Sequence, residues 1–171
     1  MRHIVQRLVL GALLVTFAPR TADAQQSTVR ETLSYINNLL EQHSYRDHDD
    51  QLTVSHVTLR RGSTLVVEVA KTKGDTKTST IYEVDIDGVD LEGISARQRG
   101  NHTVLVIEST VAVATKLKSV SGGTLSHEWD LPSRDDLSLE FRSDPAVEQD
   151  LTAALVRLIT LARGASSSTT A

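Results

Sequence analysis

An α+β domain is the fold class that this sequence predicts. It should hold an N-terminal helix, seven or eight antiparallel strands in a sandwich or partly open barrel, and a C-terminal amphipathic helix packed on the sheet. Three observations predict it. Apolar residues recur at helical spacing near both ends of the chain, between Thr28 and His43 and between Asp144 and Gly164. Between them, short runs rich in Val, Ile, Leu and Thr follow one another about every ten residues. The breaks carry turn residues (Arg61-Gly62, Gly74-Asp75, Asp87-Gly88, Gly100-Asn101, Gly122-Gly123) and are too short for the crossovers of a parallel sheet.

The first segment reads as an export signal. Arg2, His3 and Arg7 make a basic start, and Leu8 to Phe17 is an apolar run of about ten residues, too short to span a bilayer. Ala22-Asp23-Ala24 has the small-x-small pattern of a cleavage site. Residues 1–24 are therefore expected to be a cleaved signal peptide, residues 25–164 a single domain, and residues 165–171 a disordered polar tail. The expected location is the periplasm or the extracellular space. No cysteine follows the apolar run to carry a lipid, and no later segment is apolar enough to cross a membrane.

Charge narrows the partners. Loss of Arg2, Arg7, Arg20 and Asp23 would remove a net +2 and take the formal charge from −4 to −6. An acidic surface is poorly matched to nucleic acid or an anionic membrane. The chain has no cysteine, which excludes disulfides, thiol chemistry, iron–sulfur clusters and cysteine-bound zinc.

The first helix is expected over Thr28–His43. Thr28 and Glu31 have capping-box spacing, and Val29, Leu33, Ile36 and Leu40 share one face, with Arg30, Asn37, Asn38 and Glu41 opposite. His43 to Asp50 is a polar linker. Its imidazoles and carboxylates are metal-ligand types, but their spacing matches no known site.

The strands follow. In Leu52–Arg60 the apolar parity shifts from Leu52 and Val54 to Val57 and Leu59, which predicts a bulge near Ser55 and His56. Thr64–Lys71 alternates strongly, the loop Thr72–Lys77 turns at Gly74-Asp75, and Tyr82, Val84 and Ile86 should point inward. Ile94–Gln98 is a weaker strand. Val104 to Ile107 is a continuous apolar run, as in a central strand buried on both faces. His102–Glu108, Val111–Leu117, Thr124–Trp129 and Asp136–Arg142 are expected as four further strands, with Leu137, Leu139 and Phe141 inward.

The closing helix has the clearest local signals. Asp144 is suited to the N-cap and Pro145 to the first turn. Val147, Leu151, Ala154, Leu155, Leu158, Leu161 and Ala162 form a wide stripe, Val156 and Ile159 flank it, and Gly164 suits the position just past the end.

Catalytic signatures are missing. Asp85-Ile86-Asp87-Gly88-Val89-Asp90 lacks the glycine and glutamate positions of a calcium loop. His127-Glu128 has Leu131 where a zinc motif needs its second histidine. His56, His102 and His127 lie on separate strands with no spacing rule to join them. There is no G-x-S-x-G, S-x-x-K, phosphate-binding G-x-x-x-x-G-K or G-x-G-x-x-G pattern. The sequence assigns no catalytic residue, metal ligand or cofactor. Lys71, Lys73 and Lys77 give one hairpin a basic tip, and Arg60 and Arg61 form another basic turn. Side by side, these two would hold an anion or contact a partner; otherwise their charges guard strand edges. Trp129, the only tryptophan, either plugs a barrel or marks an exposed contact patch.

Antiparallel strands closed by a helix beginning at Asp144 resemble the pleckstrin-homology-like fold, over Leu52 to Gly164. The resemblance is one of architecture, without a diagnostic motif, and implies binding of peptides or lipid head groups without catalysis. The strand count, the closing helix and the export signal also resemble a lipocalin barrel, although the early G-x-W signature is absent. The function expected is an exported, non-catalytic domain that binds another protein or joins an envelope assembly. A small-molecule or ion carrier with its ligand in the sheet interior or mouth is the alternative, and a hydrolase a third.

Overall fold

The structure, a computed structural model, describes the backbone of residues 22–167 and the side chains of residues 27–165. Most of the expected export signal lies outside the described residues. Its last three positions, Ala22-Asp23-Ala24, form the start of helix α1 (Ala22–Gln42). The helix therefore begins before Thr28, and no capping box forms there. Thr28 instead offers its carbonyl to Thr32 Oγ1 at 2.8 Å, as an interior helical residue does. Ile36 and Leu40 are fully buried, and Val29 and Leu33 pack beside them, so the apolar face is the one expected.

Helix α2 (Pro145–Ser167) starts as the sequence predicts. Asp144 Oδ1 accepts the Ala146 N–H at 3.0 Å and its carbonyl accepts the Glu148 N–H at 3.0 Å. Val147, Leu151, Ala154, Leu155, Leu158 and Ala162 are buried. Ile159, at the flank of this stripe, is also fully buried, because α2 packs on both the sheet and α1. Gly164 does not end the helix. Glycine weakens a helix by about 1 kcal/mol relative to alanine, which one position near a terminus tolerates. The segment expected as tail is thus helical to Ser167, and residues 168–171 lie outside the described residues.

Among the described residues seven strands form a single antiparallel sheet: β1 (Tyr45–Arg46), β2 (Leu52–Arg60), β3 (Thr64–Lys73), β4 (Thr76–Asp85), β5 (Val89–Arg99), β6 (His102–Ser121) and β7 (Thr124–Arg142). The order is β1-β2-β3-β4-β6-β5, with β7 also paired to β6. Four strands expected between His102 and Arg142 are in fact two, of 20 and 19 residues. Between Glu108 and Val113 the β6–β7 register slips, and both strands bend there without breaking. The first half of β6 pairs with β5 and the second half with β4, while β7 follows it throughout. The sheet curls, so that the last part of β7 returns to β2 and β3, strands distant from it in sheet order. The architecture is one curled sheet with two helices rather than two stacked sheets.

The bulge expected in β2 is absent. Its register with β3 is continuous from Leu52 to Arg60, and Thr53, Ser55 and Val57 all point inward. Small polar residues occupy the core side here because Ser55 has a partner across the curl, Glu140. The rest of the interior follows the pattern. Tyr82, Val84, Ile86, Leu137, Leu139 and Phe141 are buried, and Val104 to Ile107 is covered on both faces in the central strand β6.

Candidate functional site

Beyond the bend, the first half of β7 forms a hairpin arm with the second half of β6, whose other side is paired to β4, so that β7 runs along the edge of the sheet. Gly122 and Gly123 join them with φ of 56° and 78°, values that suit a two-residue turn and that residues with a Cβ rarely adopt. Every residue from Ser121 to Asp135 is exposed. Trp129 is 45% exposed and Leu131 40%. The His127 ring stacks on Trp129 with centroids 5.0 Å apart, as an i, i+2 pair on one face of a strand allows. Glu128 and Asp130 lie on the opposite face, and Lys118 Nζ sits 3.5 Å from Glu128.

Hydrogen-bond phase fixes which backbone groups of this arm are open. Gly74-Asp75 is a two-residue turn, so Lys73 and Thr76 exchange both bonds. Alternation then directs Lys77, Ser79, Ile81 and Glu83 of β4 to Val120, Lys118, Lys116 and Ala114 of β6. The odd-numbered residues of β6 therefore bond to β7, at His127, Trp129 and Leu131. The N–H and C=O groups of Glu128 and Asp130 point outward, where no further strand lies among the described residues. The same alternation holds at the other end of β7, and there the outward groups are used. Glu140 exchanges two bonds with Ser55 Oγ, and the Arg142 N–H donates to His43 O. One edge of β7 is thus closed at its C-terminal end and open along the arm.

The basic residues singled out in the sequence are not assembled. Arg60 and Arg61 lie beyond one end of β3 and Lys73 and Lys77 at the other, about 30 Å apart for a ten-residue strand. The two basic turns therefore form no common anion site. Arg60 pairs with Glu83 at 2.6 Å, Lys77 with Glu68 at 3.0 Å and Lys71 with Glu140 at 3.2 Å, while Arg61 occupies a turn at φ 52°. Trp129 does not plug the interior; it is on the arm.

The histidines stay apart as well. His56 Nδ1 lies 2.7 Å from Asn37 Oδ1 of α1, His102 stacks on Tyr45 at 4.5 Å, and His127 is on the arm. The cluster around Glu140 was not legible in sequence, because Tyr45, Lys71, His102 and Glu140 come from four strands. The Tyr45 hydroxyl donates to Glu140 Oε2 at 2.6 Å. Burial, and then that bond, push the phenol pKa well up, so it acts as a fixed donor rather than a nucleophile. Burial holds His102 below its ordinary value of 6.5, against the opposing pull of Glu140. This cluster ties β1, β3 and β7 together.

At the other end of the sheet, Asp85 accepts the Asp87 N–H and Asp90 accepts the Glu92 N–H, while Arg163 donates to the carbonyls of Ile86, Asp87 and Val89. A guanidinium takes the carbonyls that a cation would use. Among the described residues no group of three or more histidine and acidic side chains is placed to hold a metal ion. No described helix is long and apolar enough to cross a membrane. Comparison with family models, with curated proteins and with solved structures gives no match.

Proposed function

We propose that this chain is an exported, non-catalytic binding module that takes an extended segment of a partner protein along the open edge of its hairpin arm. One observation carries the reading: among the described residues the outward N–H and C=O groups of Glu128 and Asp130 have no strand partner, on an edge that also presents Trp129, Leu131 and Leu125 to solvent. An added strand satisfies such an edge through its main chain, and the flanking side chains select it. Exposed tryptophan supplies much of the contact energy at protein interfaces. The filled interior supports the reading too, since a carrier needs a hollow, and here Leu65, Val67, Ile107, Leu137, Leu139 and Phe141 are fully buried. Two grooves, of about 590 Å³ beside Val111 and about 340 Å³ between α1 and α2, are open and part polar.

Export rests on the N-terminal pattern, and the expected cleavage after Ala24 would remove three residues of α1. A peptidase reads an extended chain, so cleavage would precede completion of that helix.

The reading is tested with a photo-activated crosslinking residue placed at Ser126, at Trp129 or, as control, at Arg157 on α2, in the native host. A discrete adduct from the first two positions and none from the third is expected. Adducts from Arg157 alone, or from no position, would overturn it.

A further inference from the structure

The sheet has a second open edge. Strand β5 ends the sheet, and every residue from Ser95 to Arg99 is exposed. Its hairpin to β6 turns on two residues, Gly100-Asn101, so Arg99 and His102 exchange both bonds, as do Arg97 and Val104. The outward backbone groups of β5 are those of Ala96 and Gln98. The side chains beside them are Arg97 and Arg99, two residues apart on one face. On the arm the outward groups belong to Glu128 and Asp130, also two residues apart on one face. Among the described residues no ion pair engages Arg97, Arg99 or Asp130, and Glu128 has only the 3.5 Å contact to Lys118.

These two edges match each other. In a parallel pair, a residue whose backbone faces the neighbour sits opposite one whose backbone faces away, and bonds to the residues on either side of it. Gln98 opposite Trp129 meets that condition, because its N–H and C=O then reach Glu128 and Asp130. In this register Arg97 stands opposite Glu128 and Arg99 opposite Asp130, two charge pairs on one face. An antiparallel match of the same outward groups sets Arg97 opposite Trp129 and brings no arginine to either acid, which keep only Lys118 and Lys116 of β6 across from them. The parallel register is the one that uses the charges.

We propose that the occupant of the arm's open edge is β5 of a second copy of this chain, so that copies assemble head to tail through a β5–β7 pair. The inference rests on the binding reading above and names its partner. The contact is heterologous: each copy uses one edge as donor and keeps the other free, so the product is a ring or an open chain of copies and not an isologous dimer. A contact of about five residues a side is small, and assembly is correspondingly weak and concentration-dependent.

The test is sedimentation velocity on the purified chain, on R97E/R99E and on E128K/D130K, up to about 1 mM, the range that a small interface requires. Wild type should assemble progressively with concentration. Each double variant alone sets like charges on both edges and should assemble about tenfold more weakly or worse. An equimolar mixture of the two variants restores opposite charges at every contact and should assemble again, which two misfolded variants would not do. A monomeric wild type over the whole range, or assembly indifferent to both charge reversals, overturns the inference. The outcome for the binding reading is separate: a monomeric wild type that still gives a discrete heterologous adduct from Trp129 in cells retains the edge as a binding site and removes only the second copy as its occupant.

Discussion

The hydroxyl of Ser55 closes the curl of the sheet onto the backbone of Glu140. It donates to Glu140 O at 2.8 Å and accepts from Glu140 N–H at 2.9 Å, across 85 residues of chain. One side chain thus does at this seam what a neighbouring strand does elsewhere. Asn37 of α1 does the same for β2: its amide donates to Val57 O and accepts from Val57 N–H, both at 2.8 Å. Two side chains thus imitate a peptide group here: Asn37 closes the edge of β2 at Val57, and Ser55, reaching out from β2, closes the edge of β7 at Glu140.

Replacing Ser55 with alanine leaves the Glu140 N–H and C=O without these partners in a partly buried place. The expected loss is about 2–6 kcal/mol, since each of the two unsatisfied buried groups costs about 1–3 kcal/mol. Ser126→Ala is the control. Its hydroxyl donates to Ser119 O on the exposed arm, and its loss should stay within about 0.5 kcal/mol. Urea unfolding gives both values, and hydrogen exchange should show the Glu140 amide opening faster in S55A. Equal, small losses in the two variants would mean that the seam is held by packing alone.

This seam explains much of what the sequence hid. Local signals were legible: the Asp144 cap, the turn at Gly122-Gly123 and the inward alternation of Leu137, Leu139 and Phe141 all depend on neighbours within a few residues. Thr53 and Ser55 point inward for a non-local reason, because the group that satisfies Ser55 lies on β7. Read locally, their polarity looked like a parity shift. The long strands were hidden in a related way. Ser109 to Ala112 and Pro132-Ser133 look like breaks, yet the chain only bends there, its pairing resuming at Val113 with Arg134. The separation of the basic turns, by contrast, was available from the sequence. Arg60-Arg61 and Lys73–Lys77 flank a single strand, and the two ends of one strand cannot meet. The Glu140 cluster was not available, since no spacing links positions 45, 71, 102 and 140.

Stability should fall with acid in two separate windows. His102 has a folded-state pKa below its ordinary 6.5, chiefly through burial. As pH drops through 6.5 the unfolded chain takes up that proton first, so the native state loses ground there. Glu68 has a folded-state pKa below its ordinary 4.5: burial pulls it up, but the Ser79 hydroxyl at 2.6 Å and the Lys77 ammonium outweigh that. Its contribution is complete above 4.5 and is lost as pH falls through the lowered value. Urea midpoints measured against pH should therefore show H102Q flattening the upper window and E68Q reducing the slope of the lower one, where Asp47, held below its ordinary value by the Gln51 N–H, also contributes, each leaving the other window in place. A wild-type slope that survives in H102Q around pH 6.5 would assign that window to another group.

Trp129 offers a direct optical readout of the arm, because it is the only tryptophan. At 45% exposure, and stacked on His127 rather than packed in the core, it should emit at long wavelength and be readily quenched by acrylamide in dilute protein. In the parallel β5–β7 register it faces Gln98 of the next copy, so self-assembly should move the emission to shorter wavelength along the same concentration curve as sedimentation. A partner of another kind would produce the same shift at constant protein concentration as the partner is added. Trp129→Phe should abolish the signal and weaken either contact, because the smaller ring presents less apolar surface. Emission that is already blue and quencher-resistant at nanomolar protein would place the indole against the arm itself. The contact energy of the edge would then rest on its open backbone groups and on Leu125 and Leu131, and the tryptophan would serve to stiffen the hairpin.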